Sequence, residues 1–189
     1  MKIDEAKRQL KSLNKDDKYQ TMIYTAAIIT KLLDKENIKP IIVGGLSVNI
    51  YTQNDYTTRD IDFIINGYSI TEKLLFNLDF KKDGRYFYRD DIEIAIEIPD
   101  NHLDGDINKV KKLKLGNELF IYVISLEDII IDRLRASLYW NSEDDAIWGF
   151  QLLTKNFETL DITYIKNTLK AKQEKAEFKL WLQQIEKFN

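Results

Sequence analysis

The chain has 189 residues, of which 28 are Lys or Arg and 31 are Asp or Glu, so its formal net charge is −3. It contains no Cys and a single His, His102, which excludes disulfides, thiolate metal sites and clusters of histidine ligands. Any chemistry must therefore be built from carboxylates, hydroxyls, Lys and Arg.

The first two thirds of the chain alternate helical and extended periodicities. They predict helices over 4–13 and 16–37, a strand over 41–43, a helix over 46–51, a strand over 60–65 and a helix over 69–77 that Ser69 caps. Two hairpins follow, the first joining 85–89 to 92–98 and the second joining 110–115 to 118–124. This order predicts a mixed sheet flanked by helices.

From Ser125 onward the pattern is helical, and Ser125 and Asp128 have the spacing of a helix-capping motif. We therefore expect an α+β fold with a core over residues 1–125 and a C-terminal helical region over 126–189 that packs on the core. The charged start of the chain resembles no signal peptide. No apolar run approaches the ~20 residues of a membrane span, so we expect a cytoplasmic protein without a membrane partner.

Two adjacent glycines, Gly44 and Gly45, lie where the first strand gives way to a helix. Glycine allows the backbone to approach a ligand closely, and the first N–H groups of a helix favour phosphate. Ser47 offers a hydroxyl in the same turn. An ordinary strand-to-helix turn explains the same glycines equally well, so this feature alone leaves both interpretations open.

The next strand carries two carboxylates, Asp60 and Asp62, which share a face because side chains alternate along a strand. Ile61 and Phe63 occupy the opposite face. Carboxylates this close repel each other unless a cation lies between them, and oxygen ligands suit Mg²⁺. A solvated acidic face is the alternative.

A later strand alternates Ile with polar residues and offers two further carboxylates, Glu93 and Glu97. They lie ~13 Å apart in an extended strand, so they cannot serve one metal site together. If this strand runs antiparallel to the strand of Asp60, its C-terminal end lies beside the Asp pair and Glu97 is the third ligand. Glu93 remains the reserve candidate.

Together these features resemble the DNA polymerase beta-type nucleotidyltransferase superfamily. Its signature is an apolar residue before Gly-Gly or Gly-Ser, then Asp-x-Asp or Asp-x-Glu between apolar residues, then a carboxylate on a later strand. Asp60 follows Gly45 by 15 positions, and residues 58–63 look like the small bacterial branch that includes the AbiEii-type abortive-infection toxins. The resemblance covers about residues 38–155, with Glu97 standing where Asp is more usual.

The resemblance implies a nucleotidyltransferase-like fold and a two-metal mechanism. Asp60, Asp62 and Glu97 would hold two Mg²⁺ ions that stabilise the attacking and leaving oxygens of an in-line displacement. A hydroxyl of a small molecule, a tRNA end or a protein would attack the α-phosphorus of an NTP and release pyrophosphate.

Nucleotide binding is assigned through the same resemblance to the diglycine turn, Ser47 and Arg59. A non-catalytic member of the fold, which binds a nucleotide or a partner such as a cognate antitoxin, is the alternative function. Intact glycines and an intact Asp pair favour the enzyme.

Two residues of the helical region, Arg133 and Asp145, are further candidates for the site. Arg133 falls within the apolar arc of its helix, where a guanidinium normally requires an anion. The toxin-like branch carries a basic residue and an Asp at similar places after its catalytic core. A buried ion pair with a purely structural role is the alternative.

Overall fold

The computed structural model describes residues 1–188, and the chain divides after Ile124 into two units. The first unit is built on a mixed sheet of seven strands. The strands are β1 (Ile41–Val43), β2 (Asp60–Ile64), β3 (Lys81–Asp83), β4 (Tyr86–Arg89), β5 (Ile94–Asp100), β6 (Lys111–Gly116) and β7 (Leu119–Val123).

The strands lie in the order β3-β4-β5-β2-β1-β7-β6. β1 is antiparallel to β2 and parallel to β7, while β2 is parallel to β5; the remaining pairs are antiparallel. β2 therefore lies inside the sheet, between β1 and β5, and its side chains meet neighbours from both strands.

Four α-helices accompany the sheet: α1 (Ile3–Lys11), α2 (Lys18–Leu33), α3 (Gly44–Tyr51) and α4 (Tyr68–Asn77). The alternation along β2 separates the two faces of the sheet. Ile61 and Phe63 are fully buried, and the register places Ile96 beside Ile61. On β4, Phe87 is buried against Phe76 of α4, with the ring centroids 6.0 Å apart. Asp60 and Asp62 therefore project from the face opposite this apolar core.

The second unit consists of α5 (Leu126–Tyr139), α6 (Glu143–Lys155), α7 (Ile162–Thr168) and α8 (Lys172–Phe188). Ser125 caps α5, because its Oγ accepts a hydrogen bond from the backbone N of Asp128 at 3.0 Å. The buried residues of this unit include Leu134, Leu152 and Phe178. Within residues 1–188, none of the helices is both long and apolar enough to cross a membrane.

The α+β architecture and both hairpins are confirmed, but the structure differs from the predictions at element level in four respects. The helix expected over 16–37 ends at Leu33 and continues as one 3-10 turn, and the N-cap of α4 is Gly67 instead of Ser69. β3 was not predicted, because its three residues are all exposed and show no apolar alternation. β5 runs parallel to β2, not antiparallel, since the extra strand β3 adds one reversal of chain direction between them.

Candidate metal centre

Three carboxylates meet on the face of the sheet opposite Ile61 and Phe63, and each of them offers an oxygen within 4.8 Å of the other two. Asp60 and Asp62 come from β2, and Glu97 comes from β5. The parallel register pairs Asp62 directly with Glu97, while Asp60 is two residues away on the same face. Within residues 1–188 this is the one group of three or more acidic or imidazole side chains with such spacing.

The donor set of this cluster fits a hard divalent cation. All three ligands are carboxylate oxygens, which Mg²⁺ prefers over nitrogen or sulfur ligands. Asp60 and Asp62 are half-buried and Glu97 is 9% exposed, so solvent screens their mutual repulsion only in part. A cation at the cluster would offset that repulsion.

The first glycine of the diglycine turn makes room for Asp62. Gly44 has a φ of +58°, and a Cβ at this position would collide with Oδ2 of Asp62 and lie 3.0 Å from its Cγ. The backbone at Gly44 therefore approaches the carboxylate more closely than any other residue type would allow.

The second glycine makes room for the residue that holds Asp60. A Cβ at Gly45 would lie 2.7 Å from Oγ1 of Thr58, and this hydroxyl donates a hydrogen bond to Oδ1 of Asp60 at 3.1 Å. Gly44 thus borders Asp62 directly, and Gly45 borders the hydrogen-bond partner of Asp60. The same close contacts therefore agree with both interpretations of the glycines, an ordinary strand-to-helix turn and a turn that approaches a ligand.

Helix α3 begins at this turn, with the extended residue Val43 as its N-cap. Because valine has no polar side chain, it cannot cap the first N–H groups of the helix. Ser47 is fully buried, and its hydroxyl donates to the carbonyl oxygen of Gly44 at 2.7 Å. This hydrogen bond holds the first turn of α3, and a contact between Ser47 and phosphate stays a prediction.

Arg85, in the turn between β3 and β4, is a site residue that sequence reasoning missed. Its Nη1 lies 3.3 Å from Oε1 of Glu97, and its Nη2 donates to the hydroxyl of Tyr86 at 2.7 Å. The hydrogen bond to Tyr86 and the charge of Glu97 raise the pKa of this guanidinium above its ordinary value. No local sequence pattern indicates this contact, because it depends on β3, which the sequence did not predict.

Glu93, the reserve candidate for the third ligand, lies outside the cluster. It precedes β5 in a left-handed conformation with a φ of 53°. Its carboxylate pairs with Lys18 at 2.5 Å and with Lys15 at 3.3 Å. Hydrogen bonds from Lys18 and Lys15 hold the pKa of Glu93 below its ordinary value. The structure places Glu97 beside the two aspartates through a parallel pairing of β2 and β5, not the expected antiparallel one, and its role as the third metal ligand stays a prediction.

Arg59 is exposed and lines a small cavity of about 210 Å³ together with Tyr88 and Glu93. This cavity lies at the start of β5, where Glu93 meets its lysine partners. A contact between Arg59 and a nucleotide stays a prediction.

Arg133 and Asp145 form an ion pair within the helical unit. Nη1 of Arg133 donates to Oδ1 of Asp145 at 2.6 Å, and Nε donates to Oδ2 of Asp132 at 3.0 Å. The side chains of Arg133 and Asp145 are only 14% and 18% exposed. The anions expected near the guanidinium of Arg133 are therefore present, as Asp145 and Asp132. A role for Arg133 and Asp145 in the candidate site stays a prediction.

Comparisons with known proteins show a likeness in structure but none in sequence. No protein-family model matches the sequence, and no curated protein matches it at a significant level. The crystal structure of an antigenic nucleotidyltransferase-like protein from Paracoccidioides brasiliensis is similar, with a TM-score of 0.63 and 15% sequence identity. The alignment covers 86% of this chain and 88% of that chain.

Two structures of ANT(2'')-Ia are also similar, at lower scores. The solution structure of this antibiotic-resistance factor gives a TM-score of 0.46 at 14% identity, covering 85% of this chain and 92% of that chain. The crystal structure in complex with adenylyl-2"-tobramycin gives 0.48 at 13% identity, covering 82% and 94%. The predicted fold is confirmed by the first comparison: the chain has the fold of a nucleotidyltransferase-like protein.

Proposed function

We propose that this chain is a metal-dependent nucleotidyltransferase that transfers a nucleoside monophosphate from an NTP to a hydroxyl acceptor. The observation that carries the proposal is the convergence of Asp60, Asp62 and Glu97 from two adjacent strands, with ligand oxygens within 4.8 Å of one another. In the first turn of α3, Gly44 lies directly against Asp62, and Gly45 lies against Thr58, the hydrogen-bond partner of Asp60. An acidic cluster next to backbone N–H groups suits a metal ion together with a polyphosphate.

Each part of the site has a distinct task in this proposal. Asp60, Asp62 and Glu97 would hold Mg²⁺, which supplies Lewis-acid stabilisation of the attacking and leaving oxygens when bound. The turn at Gly44 and Gly45 would bring backbone close to the triphosphate. Thr58 positions Asp60 through its hydrogen bond.

The proposed reaction forms a bond between the acceptor oxygen and the α-phosphorus of the NTP. The bond between the α-phosphorus and the oxygen that bridges it to the β-phosphorus breaks, and pyrophosphate leaves with the electron pair. The proton of the acceptor hydroxyl passes to a carboxylate of the cluster or to water. The resemblance of residues 58–63 to the AbiEii-type branch makes RNA, in particular a tRNA end, the first acceptor to examine.

The experiment that tests the proposal incubates the full chain with each α-labelled NTP, Mg²⁺ and total RNA, or with the chain alone as acceptor. We expect labelled product and stoichiometric pyrophosphate, and we expect Asp62→Asn to abolish both. Asp90→Asn is the matched control, because Asp90 is an exposed aspartate in the turn after β4 and pairs with Lys81 outside the cluster. Its activity should equal that of the wild type.

Full turnover by Asp62→Asn would contradict the proposal. NTP binding without pyrophosphate release from any acceptor would favour the alternative, a nucleotide-binding protein of the same fold without catalysis. Circular dichroism of each variant separates loss of chemistry from loss of folding.

A further inference from the structure

The guanidinium of Arg85 reaches the acidic cluster from a neighbouring hairpin. Arg85 lies in the turn between β3 and β4, and its Nη1 approaches Oε1 of Glu97 to 3.3 Å. The register places Tyr86 directly across from Glu97. The side chain of Arg85 therefore passes over the ring of Tyr86 to reach the carboxylate of Glu97. The guanidinium carbon lies 4.9 Å from the centroid of that ring.

The two partners of this ion pair differ sharply in exposure. The side chain of Arg85 is 70% exposed, whereas that of Glu97 is only 12% exposed. An exposed guanidinium keeps its freedom to move, and its pairing with a carboxylate is weak because water screens it. Glu97 stays in place because β5 fixes it inside the sheet. Arg85 is therefore the member of the pair that can leave.

Arg85 and a metal ion would compete for the carboxylate of Glu97. Both are cations that use the carboxylate of the same residue, so each weakens the binding of the other through repulsion and competition for lone pairs. A guanidinium is also well suited to phosphate, because its planar fork can donate two parallel hydrogen bonds. Stacking on Tyr86 allows the guanidinium to turn while it remains over the same face of the sheet.

We propose that Arg85 is an exchangeable counter-ion: it occupies Glu97 when the cluster is empty and transfers to the triphosphate when metal and nucleotide bind together. This inference rests on the proposed function and deepens it. It makes Arg85 a nucleotide-binding residue that weakens binding of free metal and strengthens binding of the metal–nucleotide complex. Metal binding at the acidic cluster is thereby coupled to binding of the nucleotide.

The test uses the full chain and measures binding in two separate titrations. In the first, Mn²⁺ alone is titrated and followed by electron paramagnetic resonance, with Arg85→Gln compared to the wild type. We expect Arg85→Gln to bind Mn²⁺ about two- to five-fold more tightly, the range expected from loss of an exposed ion pair. In the second, a non-hydrolysable NTP analogue is titrated at saturating Mn²⁺, and we expect the same variant to bind it more weakly.

Lys81→Gln is the matched control for both titrations. It removes one positive charge from the strand before Arg85, but Lys81 pairs with Asp90 and not with Glu97. We expect it to leave both affinities within two-fold of the wild type. Arg85→Lys keeps the charge but lacks the planar fork, and we expect it to restore only part of the nucleotide affinity.

Equal Mn²⁺ affinities for Arg85→Gln and Lys81→Gln would overturn the proposal while leaving the proposed function intact. Unchanged nucleotide affinity in Arg85→Gln would do the same. If the wild type bound Mn²⁺ no better than Asp62→Asn, the cluster would not be a metal site, and both the proposed function and the role of Arg85 would fail.

Discussion

The backbone of Gly44 lies against the carboxylate of Asp62 so closely that no Cβ fits between them. This contact joins the end of β1 to the middle of β2, whose register pairs Val43 with Asp62. The same glycine has a positive φ, which L-residues with a side chain adopt at a cost of about 1–2 kcal/mol. Two independent constraints therefore act at one residue, and they can be separated by experiment.

The substitution Gly44→Ala should disturb both folding and the site, whereas Gly84→Ala should disturb folding alone. Gly84 has a nearly identical φ of +56°, but a Cβ there would meet nothing within 4 Å. We expect Gly84→Ala to lower the free energy of unfolding by about 1–2 kcal/mol and to keep its activity. Gly44→Ala should be less stable still and should lose about 100-fold in kcat, because Asp62 must move. Urea denaturation and a pyrophosphate-release assay measure the two effects.

Glu97→Gln and Glu93→Gln compare the two glutamates that sequence reasoning proposed for the third ligand. The first removes a charge from the metal cluster and should reduce activity by more than about 100-fold, since even the outer partners of metal ligands typically contribute 10–100-fold. The second removes only the exposed pairs with Lys15 and Lys18, so activity should stay within two-fold. Steady-state kinetics at saturating Mg²⁺ provide the comparison. A large loss in Glu93→Gln with normal activity in Glu97→Gln would show that the observed register does not describe the functional state.

The contrast between Asp60 and Arg85 shows what the sequence could predict about this site. Strand alternation requires Asp60 and Asp62 to share a face, and this local rule needs no knowledge of the rest of the chain. The direction of β5 depends on how many strands precede it, and β3 is too short and too exposed to leave an apolar pattern. The contact of Arg85 with Glu97 depends in turn on β3 and β4, so no local signal could have revealed it.

Ser47→Ala distinguishes a residue that holds the turn from one that binds phosphate. Because the hydroxyl is buried and donates to Gly44, we expect a loss of about 1 kcal/mol in the free energy of unfolding. The KM for the NTP should stay within two-fold of the wild-type value. A ten-fold rise in KM with unchanged stability would instead identify Ser47 as a phosphate ligand. Denaturation curves and initial rates at varied NTP concentration distinguish these outcomes.

A buried carboxylate in the helical unit, Glu174, joins the start of α8 to two side chains of α5. Its Oε2 accepts from the backbone N of Lys170 at 2.9 Å and of Ala171 at 3.2 Å. Its Oε1 accepts from Nε of Arg135 at 3.0 Å and from the hydroxyl of Tyr139 at 3.1 Å. Burial alone would raise the pKa of Glu174, but the backbone hydrogen bonds, Tyr139 and Arg135 outweigh it, so the pKa lies below its ordinary value.

The lowered pKa determines the direction of a pH effect on stability. A carboxyl with a lower pKa in the folded state contributes stability above its unfolded pKa, near 4.3, and loses it as the pH falls through the folded value. We expect Glu174→Gln to lower the free energy of unfolding by about 3 kcal/mol at pH 7, because Arg135 loses its charged partner. The difference from the wild type should shrink as the pH falls from the unfolded pKa toward the lower folded pKa, where the native carboxyl becomes protonated as well. Urea denaturation from pH 7 to pH 3 measures this, with Glu186→Gln, an exposed position on the same helix, as the control that should show no such trend. A difference that stays constant over the whole range would mean that the charge of Glu174 contributes nothing and that only its shape matters.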